Sequence, residues 1–328
     1  MSTRQAQKGS GSSTSEKVAD ADAGKTSELT PEQKLEALKL ERRLTLSKAL
    51  AKELDKSVGA RRTAALVRKS FVRNDDPDIK PPLQQLVAKA GGRGATVPVL
   101  LYIALLWKCA AKPYDVQLPA RKWAELLALP DPSTRGARRI TNALEVLATL
   151  KLVKLEKAHG EATRVILNDE SGEGRKYENP STAYSVKSNK RDLYFKVSSR
   201  LWTSGQIQQL KAPELAMLLI LLQEGGHRRD TDPLANFLHK HGHLLGIEVW
   251  FTTENFPARY GISPSMRSRG TKGLCEAGLL ETERRPVGPP GKPISFSSEK
   301  LRKIYRLQGA AVIAESPVKV QKKVKNRA

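Results

Sequence analysis

His239, His241 and His243 alternate along the chain, and in an extended segment that spacing would turn three imidazoles to one face, the arrangement a metal site would need. No carboxylate or cysteine stands at a matching partner distance, and the surroundings are glycine-containing, which fits a solvated loop. Gly91-Gly92-Arg93-Gly94 lacks the Lys-Ser/Thr ending of a phosphate-cradling loop, and prolines interrupt the glycines at 288–292. Tyr102, Tyr184 and Tyr194 are the nucleophiles available to a relaxase or recombinase. Tyr102 sits in an apolar run, however, and the other two have no histidine cluster with metal-ligand spacing nearby. Cys109 and Cys275 are the only cysteines, which excludes a disulfide framework and a cysteine-rich zinc site and suits a reducing compartment. Both are expected in the core. The residues therefore point away from an enzyme, with no catalytic residue, no metal and no cofactor.

What remains is a set of hydrogen-bond donors at helical spacing. At 100° per residue, Ile140, Ala143, Leu144 and Leu147 fall on one stripe and Arg135, Arg138 and Asn142 on the other side, with no acidic residue from 133 to 144. Further on, Met266, Gly270, Leu274 and Ala277 form a second inner stripe, and Ser265, Ser268, Arg269 and Lys272 point away from it. Acidic residues are again missing from 264 to 275, and Arg267 projects nearer the core side. An apolar stripe backed by an acid-free donor face is what a helix lying in a DNA major groove requires. Arg138 and Asn142 suit base reading, because Arg bridges guanine O6 and N7 and Asn bridges adenine N6 and N7. Ser and Lys suit phosphate contacts. A solvated basic face is the plainer alternative for each helix.

The charge balance agrees with a polyanionic partner. The chain has 328 residues, with 57 Lys and Arg against 34 Asp and Glu, a formal charge of +23. The excess is heaviest at the ends, with 19 basic against 12 acidic residues in 1–94 and nine against two in 298–328. A merely solubilising charge is the alternative. Residues 1–29 read as a disordered arm and the Lys-rich stretch 319–327 as a disordered basic tail, and such arms can contact phosphates without fixed structure. No apolar targeting segment opens the chain, and the runs at 97–107 and 215–222 are too short to span a bilayer, so a cytoplasmic protein without membrane contact is expected.

The donor helices belong to elements that occur twice in one order. The first set is an apolar helix at 96–110, a strand at 116–118, a helix at 119–127, a polar turn at 130–133 and a long helix to 150. Strands at 152–156 and 162–167 follow, joined by a turn at His159 and Gly160. The second set is a helix at 212–223, a strand at 249–251 and a helix at 253–260. Ser263 as N-cap and Pro264 at the first position open the next helix, which ends at Gly278. Strands at 279–283 and 294–296 close the set, with a Pro/Gly-rich loop at 284–292 between them. Before both, Thr30 and Pro31 open one or two basic helices within 31–72, and a proline-containing linker covers 75–82. Leu35, Leu38 and Leu46 are too sparse for a convincing heptad seam, so a homodimeric coiled coil is a lesser possibility there.

Three helices and a two-stranded hairpin, with the last two helices joined by a short turn, resemble the winged helix-turn-helix. The residues carrying the resemblance are 147–153 (LATLKLV) and 274–280 (LCEAGLL), with Trp123 and Phe256 at equivalent core positions. The resemblance covers about half the chain and implies a mainly α fold with small β-hairpins, of the α+β class. It divides the chain into a disordered arm (1–29), a basic helical region and linker (30–94), a first winged-helix domain (95–168) and a linker (169–192). A second winged-helix domain (193–308), interrupted by a loop at 224–248, and a basic tail (309–328) complete it. Wings follow the sugar-phosphate backbone; Arg284, Arg285 and Lys292 near the second tip, stiffened by Pro289 and Pro290, make that wing the stronger phosphate binder. The first has Lys157, His159 and Arg164, weakened by Glu161. Two such domains in tandem resemble plasmid replication initiators, which bind repeated origin sequences in double-stranded DNA and recruit replication machinery. A transcriptional regulator is the runner-up and a nucleoid-associated DNA-bridging protein the third reading.

Overall fold

A computed structural model describes residues 30–59, 63–73, 76, 78–89, 94–187, 190–231, 248–251, 255–286 and 301–312. Two compact units are distinguished, Met1–Lys39 and Leu40–Ala328. The described part of the first is the start of helix α1 (Pro31–Val58), where Thr30 and Gln33 cap each other: Gln33 N donates to Thr30 Oγ1 (3.3 Å) and Thr30 N to Gln33 Oε1 (2.9 Å). Leu35, Leu38 and, further along, Leu46 are exposed.

Within Leu40–Ala328 the fold is mixed α+β with small antiparallel sheets. Strand β1 (Ala64–Arg68) and helix α2 (Pro82–Lys89) precede helix α3 (Thr96–Lys108). Strand β2 (Asp115–Gln117), helices α4 (Ala120–Leu126) and α5 (Ala137–Thr149), and strands β3 (Val153–Glu156) and β4 (Arg164–Leu167) follow. Helix α6 (Pro180–Lys187), strand β5 (Tyr194–Ser198) and helix α7 (Arg200–Thr203) lead into helix α8 (Ala212–Thr231). The chain then repeats the earlier order with strand β6 (Glu248–Trp250), helices α9 (Asn255–Tyr260) and α10 (Pro264–Glu276), and strands β7 (Leu280–Pro286) and β8 (Leu301–Leu307). Both three-stranded sheets place the returning hairpin strand in the centre, in the orders β2-β4-β3 and β6-β8-β7.

Residues 97–107 of α3 are buried all round, as are residues 215–221 of α8, so both are internal helices rather than amphipathic surface ones. They belong to one continuous core that runs through both halves. The Trp107 and Trp202 rings stack across it with centroids 6.1 Å apart. Strands β1 and β5 pair antiparallel, with Leu66 opposite Lys196 at the centre. Helix α3 packs on β1, α8 packs on β5, and α3 meets α8.

Several expectations change. Residues 64–68 are a strand, not part of a basic helix, because the partner that pairs with them lies some 130 residues away and leaves no local signal. The expected linker 169–192 is packed: Glu170 is fully buried, and Arg68 donates from Nε to Asp192 Oδ1 (3.0 Å) and from Nη2 to the Glu178 carbonyl (2.8 Å). The first part of the expected 224–248 loop continues α8 to Thr231. Residues 232–247 lie outside the described residues, and with them His239, His241 and His243. The second returning strand is Leu301–Leu307, whereas 294–296 lie outside the described residues. Ala310 and Ala311, placed in the tail, are buried in a short helical turn. Cys109 is buried, which pushes its thiol up to about 12, but Cys275 is exposed because Leu274 takes the inner position and the next residue turns 100° outward. Among the described residues no helix is long and apolar enough to cross a membrane.

Candidate nucleic-acid interface

Helix α5 is held by the turn before it. Asp131 has φ 47°, the helical turn Pro132–Gly136 follows, and Gly136 N donates to Asp131 O (2.8 Å). A Cβ on Gly136 would stand 2.9 Å from Pro130 O and 3.2 Å from Ala124 Cβ, so only glycine lets α4 and α5 approach this closely. Ile140, Ala143, Leu144 and Leu147 are all buried on the expected stripe, with Trp123 of α4 in the same core. Arg138 and Asn142 are exposed, and among the described residues neither has a side-chain partner. Arg135 precedes the helix in the turn. Its Nε donates to Asp131 Oδ2 (2.7 Å), an exposed pair that a phosphate can replace at little cost.

Helix α10 begins as its sequence demands. Ser263 Oγ accepts from Met266 N (3.3 Å), and Pro264 takes the first position. Met266, Gly270, Thr271 and Leu274 are buried, whereas Ser265, Ser268, Arg269 and Lys272 are exposed. Lys272 Nζ lies 3.7 Å from Glu276 Oε1, a solvent-facing pair. Gly270 lets α10 pack against α8: a Cβ there would fall 2.3 Å from Pro213 O. Arg267 turns inward as expected. Its guanidinium lies 4.4 Å from the Phe256 ring centroid, 5.3 Å from Phe251 and 5.6 Å from Tyr305, and its Nη2 donates to Tyr305 Oη (2.9 Å). That nest ties α10 to α9, to the end of β6 and to the wing.

The two hairpins treat their cations differently. In the first, Lys157 Nζ bonds Glu145 Oε1, Lys154 Nζ bonds Glu156 Oε1 (3.0 Å), and Arg164 is clamped by Asp115 and Glu156. In the second, Arg284 is exposed, but Arg285 is committed to carboxylates: Nη1 and Nη2 donate to the two Glu248 oxygens (2.9 Å each) and Nη2 to Glu283 Oε2 (2.7 Å). Arg306 joins the same cluster through Glu248 and Glu281. Partial burial works against the Glu248 carboxylate, yet the bonds from Arg306 and Arg285 outweigh it and hold its pKa below the usual value. Arg285 is thus a structural residue of the sheet. Lys292 lies outside the described residues.

Two exposed cations were missed in the sequence. Arg139 stands beside Arg138 without a side-chain partner among the described residues; its position in the acid-free stretch was the available signal. Lys303 faces Arg284 across the second hairpin, a placement that depends on the returning strand being Leu301–Leu307 rather than 294–296. Comparison with family models, with curated proteins and with solved structures finds no match for this chain.

Proposed function

We propose that the chain is a non-enzymatic, sequence-specific, double-stranded DNA-binding protein with two tandem winged-helix heads, acting as a plasmid-type replication initiator at repeated origin sites. The observation that carries the DNA reading is the doubled unit. Twice, a buried helix, a strand, two helices and a hairpin close a sheet of the same strand order, and twice the last helix turns to solvent a donor face free of acidic residues until Glu145 and Glu276 near its end. Three helices and a wing are the winged-helix layout, in which that helix enters the major groove. The antiparallel pairing of β1 with β5, with α3 packed on the one and α8 on the other, supports one chain doing what a helix-turn-helix dimer does, presenting two helices to two half-sites. Initiation rests on architectural likeness to two-headed plasmid initiators, since two readers on one chain suit repeated or composite sites.

The test has two steps. DNA that co-purifies with the protein is sequenced, and a shared site is expected. A plasmid stripped of its own origin and given the gene with its upstream DNA should then persist in cells. A shared site without plasmid persistence would make the chain a transcriptional regulator. Binding of every duplex alike, falling steeply with salt, would make it a structural DNA-bridging protein.

A further inference from the structure

Alternation along the second wing sorts its charges by face. Leu280, Thr282 and Arg284 of β7 stand opposite Leu307, Tyr305 and Lys303 of β8, and Val249 of β6 also faces Tyr305. Directly opposed residues share a face. Leu280, Val249 and Tyr305 are buried in the core beneath α10, so this is the face that meets the helix. The other face carries Glu248, Glu281, Glu283, Arg285, Arg302 and Arg306. Every carboxylate of the three strands is on that second face, and Arg285 and Arg306 are bound to them there.

The helix-facing side is left with Arg284 and Lys303, exposed and directly opposite one another. Among the described residues neither has an ion pair, and Lys303 Nζ touches only the Tyr305 ring, 5.5 Å from its centroid. Like charges so placed repel, a cost that a bound anion would relieve. The same Tyr305 receives Arg267 of α10, so a line of cations runs from the helix onto the wing. In the first wing Lys154, Lys157 and Arg164 are all answered by carboxylates.

We propose that Arg284 and Lys303 form a phosphate clamp that grips the DNA backbone beside the groove occupied by α10, so that the two heads divide their labour. The first reads bases through Arg138 and Asn142, and the second supplies most of the backbone grip. This rests on the DNA-binding reading above.

The experiment uses the full chain and two duplexes, the site recovered with the wild type and a scrambled sequence, with affinity measured across a salt series. Arg284→Ala with Lys303→Ala should lower the slope of log K against log salt by about 1.8 and weaken both duplexes by the same factor. Its thermal midpoint should be unchanged or higher, since a repulsion has gone. Lys154→Ala with Lys157→Ala removes the same charge from the first wing and should leave the slope within measurement error. Arg138→Ala with Asn142→Ala should cut the preference for the recovered site at least tenfold and leave the slope nearly intact. An unchanged slope in the second-wing variant, or an equal loss in both wing variants, overturns the clamp. Failure of the wild type to bind any duplex overturns the DNA reading itself, and the two failures are distinct.

Discussion

Lys151 and Gly278 occupy the same point of the repeated unit, each just past the last turn of its donor helix, each left-handed, with φ 55° and 66°. The bonds around them match: Leu152 N donates to Leu147 O and Leu279 N to Leu274 O, both at 3.0 Å. This reverse turn feeds the wing strand from the helix and sets the angle between them. A lysine there carries a steric cost that glycine does not. Lys151→Gly should therefore stabilise the protein by about 0.5 kcal/mol, because relief of the left-handed strain is offset in part by lost packing of the lysine stem beside Gly174, where an added Cβ would lie 3.4 Å from Lys151 Cδ. Gly278→Ala, with nothing within 4 Å of the new Cβ, should cost about 1 kcal/mol from backbone strain alone. Denaturant unfolding of the two variants checks the opposite signs.

Gly270 stands where the first unit has Ala143, both on the buried stripe of the donor helix. The methyl group is tolerated only in the first. At Gly270 it would meet Pro213 O at 2.3 Å and Met217 Cγ at 2.6 Å, and a backbone carbonyl cannot move aside as a flexible side chain does. Gly270→Ala should cost about 1 to 3 kcal/mol and force α10 away from α8. Under the DNA-binding proposal the expected footprint is loss of affinity at the half-site assigned to α10, with the other half-site unaffected. An unchanged melting temperature would show that the two helices are not in close contact.

Much of this is legible in the sequence. The 100° stripes on α5 and α10, the Ser263 cap and the left-handed Gly278 are local signals, and each is written within a dozen residues. What was not legible depends on distant partners. Strand β1 exists because β5 pairs with it, the burial of Glu170 depends on Arg68, and the split of Arg284 from Arg285 follows only once the register with β8 is known. The Pro/Gly-rich stretch after Pro286 obscured where β8 begins, and Lys303 was lost with it.

Arg267 takes a position whose counterpart in the first unit is Ile140, a core residue. The second unit fills the space with aromatic rings and lets a guanidinium close it, bonding Tyr305 Oη on the way. Arg267→Met keeps the stem and loses both the charge and the hydrogen bond, so about 1 to 2 kcal/mol of stability should go with it. Under the DNA-binding proposal Arg267 would act through the rings rather than on the bases. The variant should thus weaken all duplexes without changing the order of preference, and Arg267→Lys, which restores a cation, should recover part of the affinity. A changed base preference would instead make Arg267 a reader.

If the DNA-binding proposal holds, Arg138→Ala should cost about 1 to 3 kcal/mol of discrimination at one base pair, because a bidentate contact to guanine would be lost. Binding to duplexes carrying each base at every position of the site reveals which one. Equal loss on cognate and scrambled DNA would reduce Arg138 to a backbone contact. Arg139 is the paired control: its adjacent position rotates it 100° from Arg138, so Arg139→Ala should weaken all duplexes alike.

The Arg68 cluster gives a pH signature. Glu170 is fully buried, and burial raises its carboxyl to about 6 despite the Arg68 guanidinium beside it. Its folded value lies above the ordinary 4.5. Between those values the folded state binds more protons than the unfolded one, so this group makes stability fall as pH rises from about 4.5 to about 6. Arg68→Met removes the compensating charge and should cost about 3 to 5 kcal/mol at pH 7. The carboxyl then has every reason to take up a proton as the solution is acidified. At pH 5 the deficit against wild type should be clearly smaller, since a neutral Glu170 no longer needs its partner. Chemical denaturation of both proteins at the two pH values tests this, and a deficit that stays constant or grows on acidification would mean that Glu170 is charged throughout.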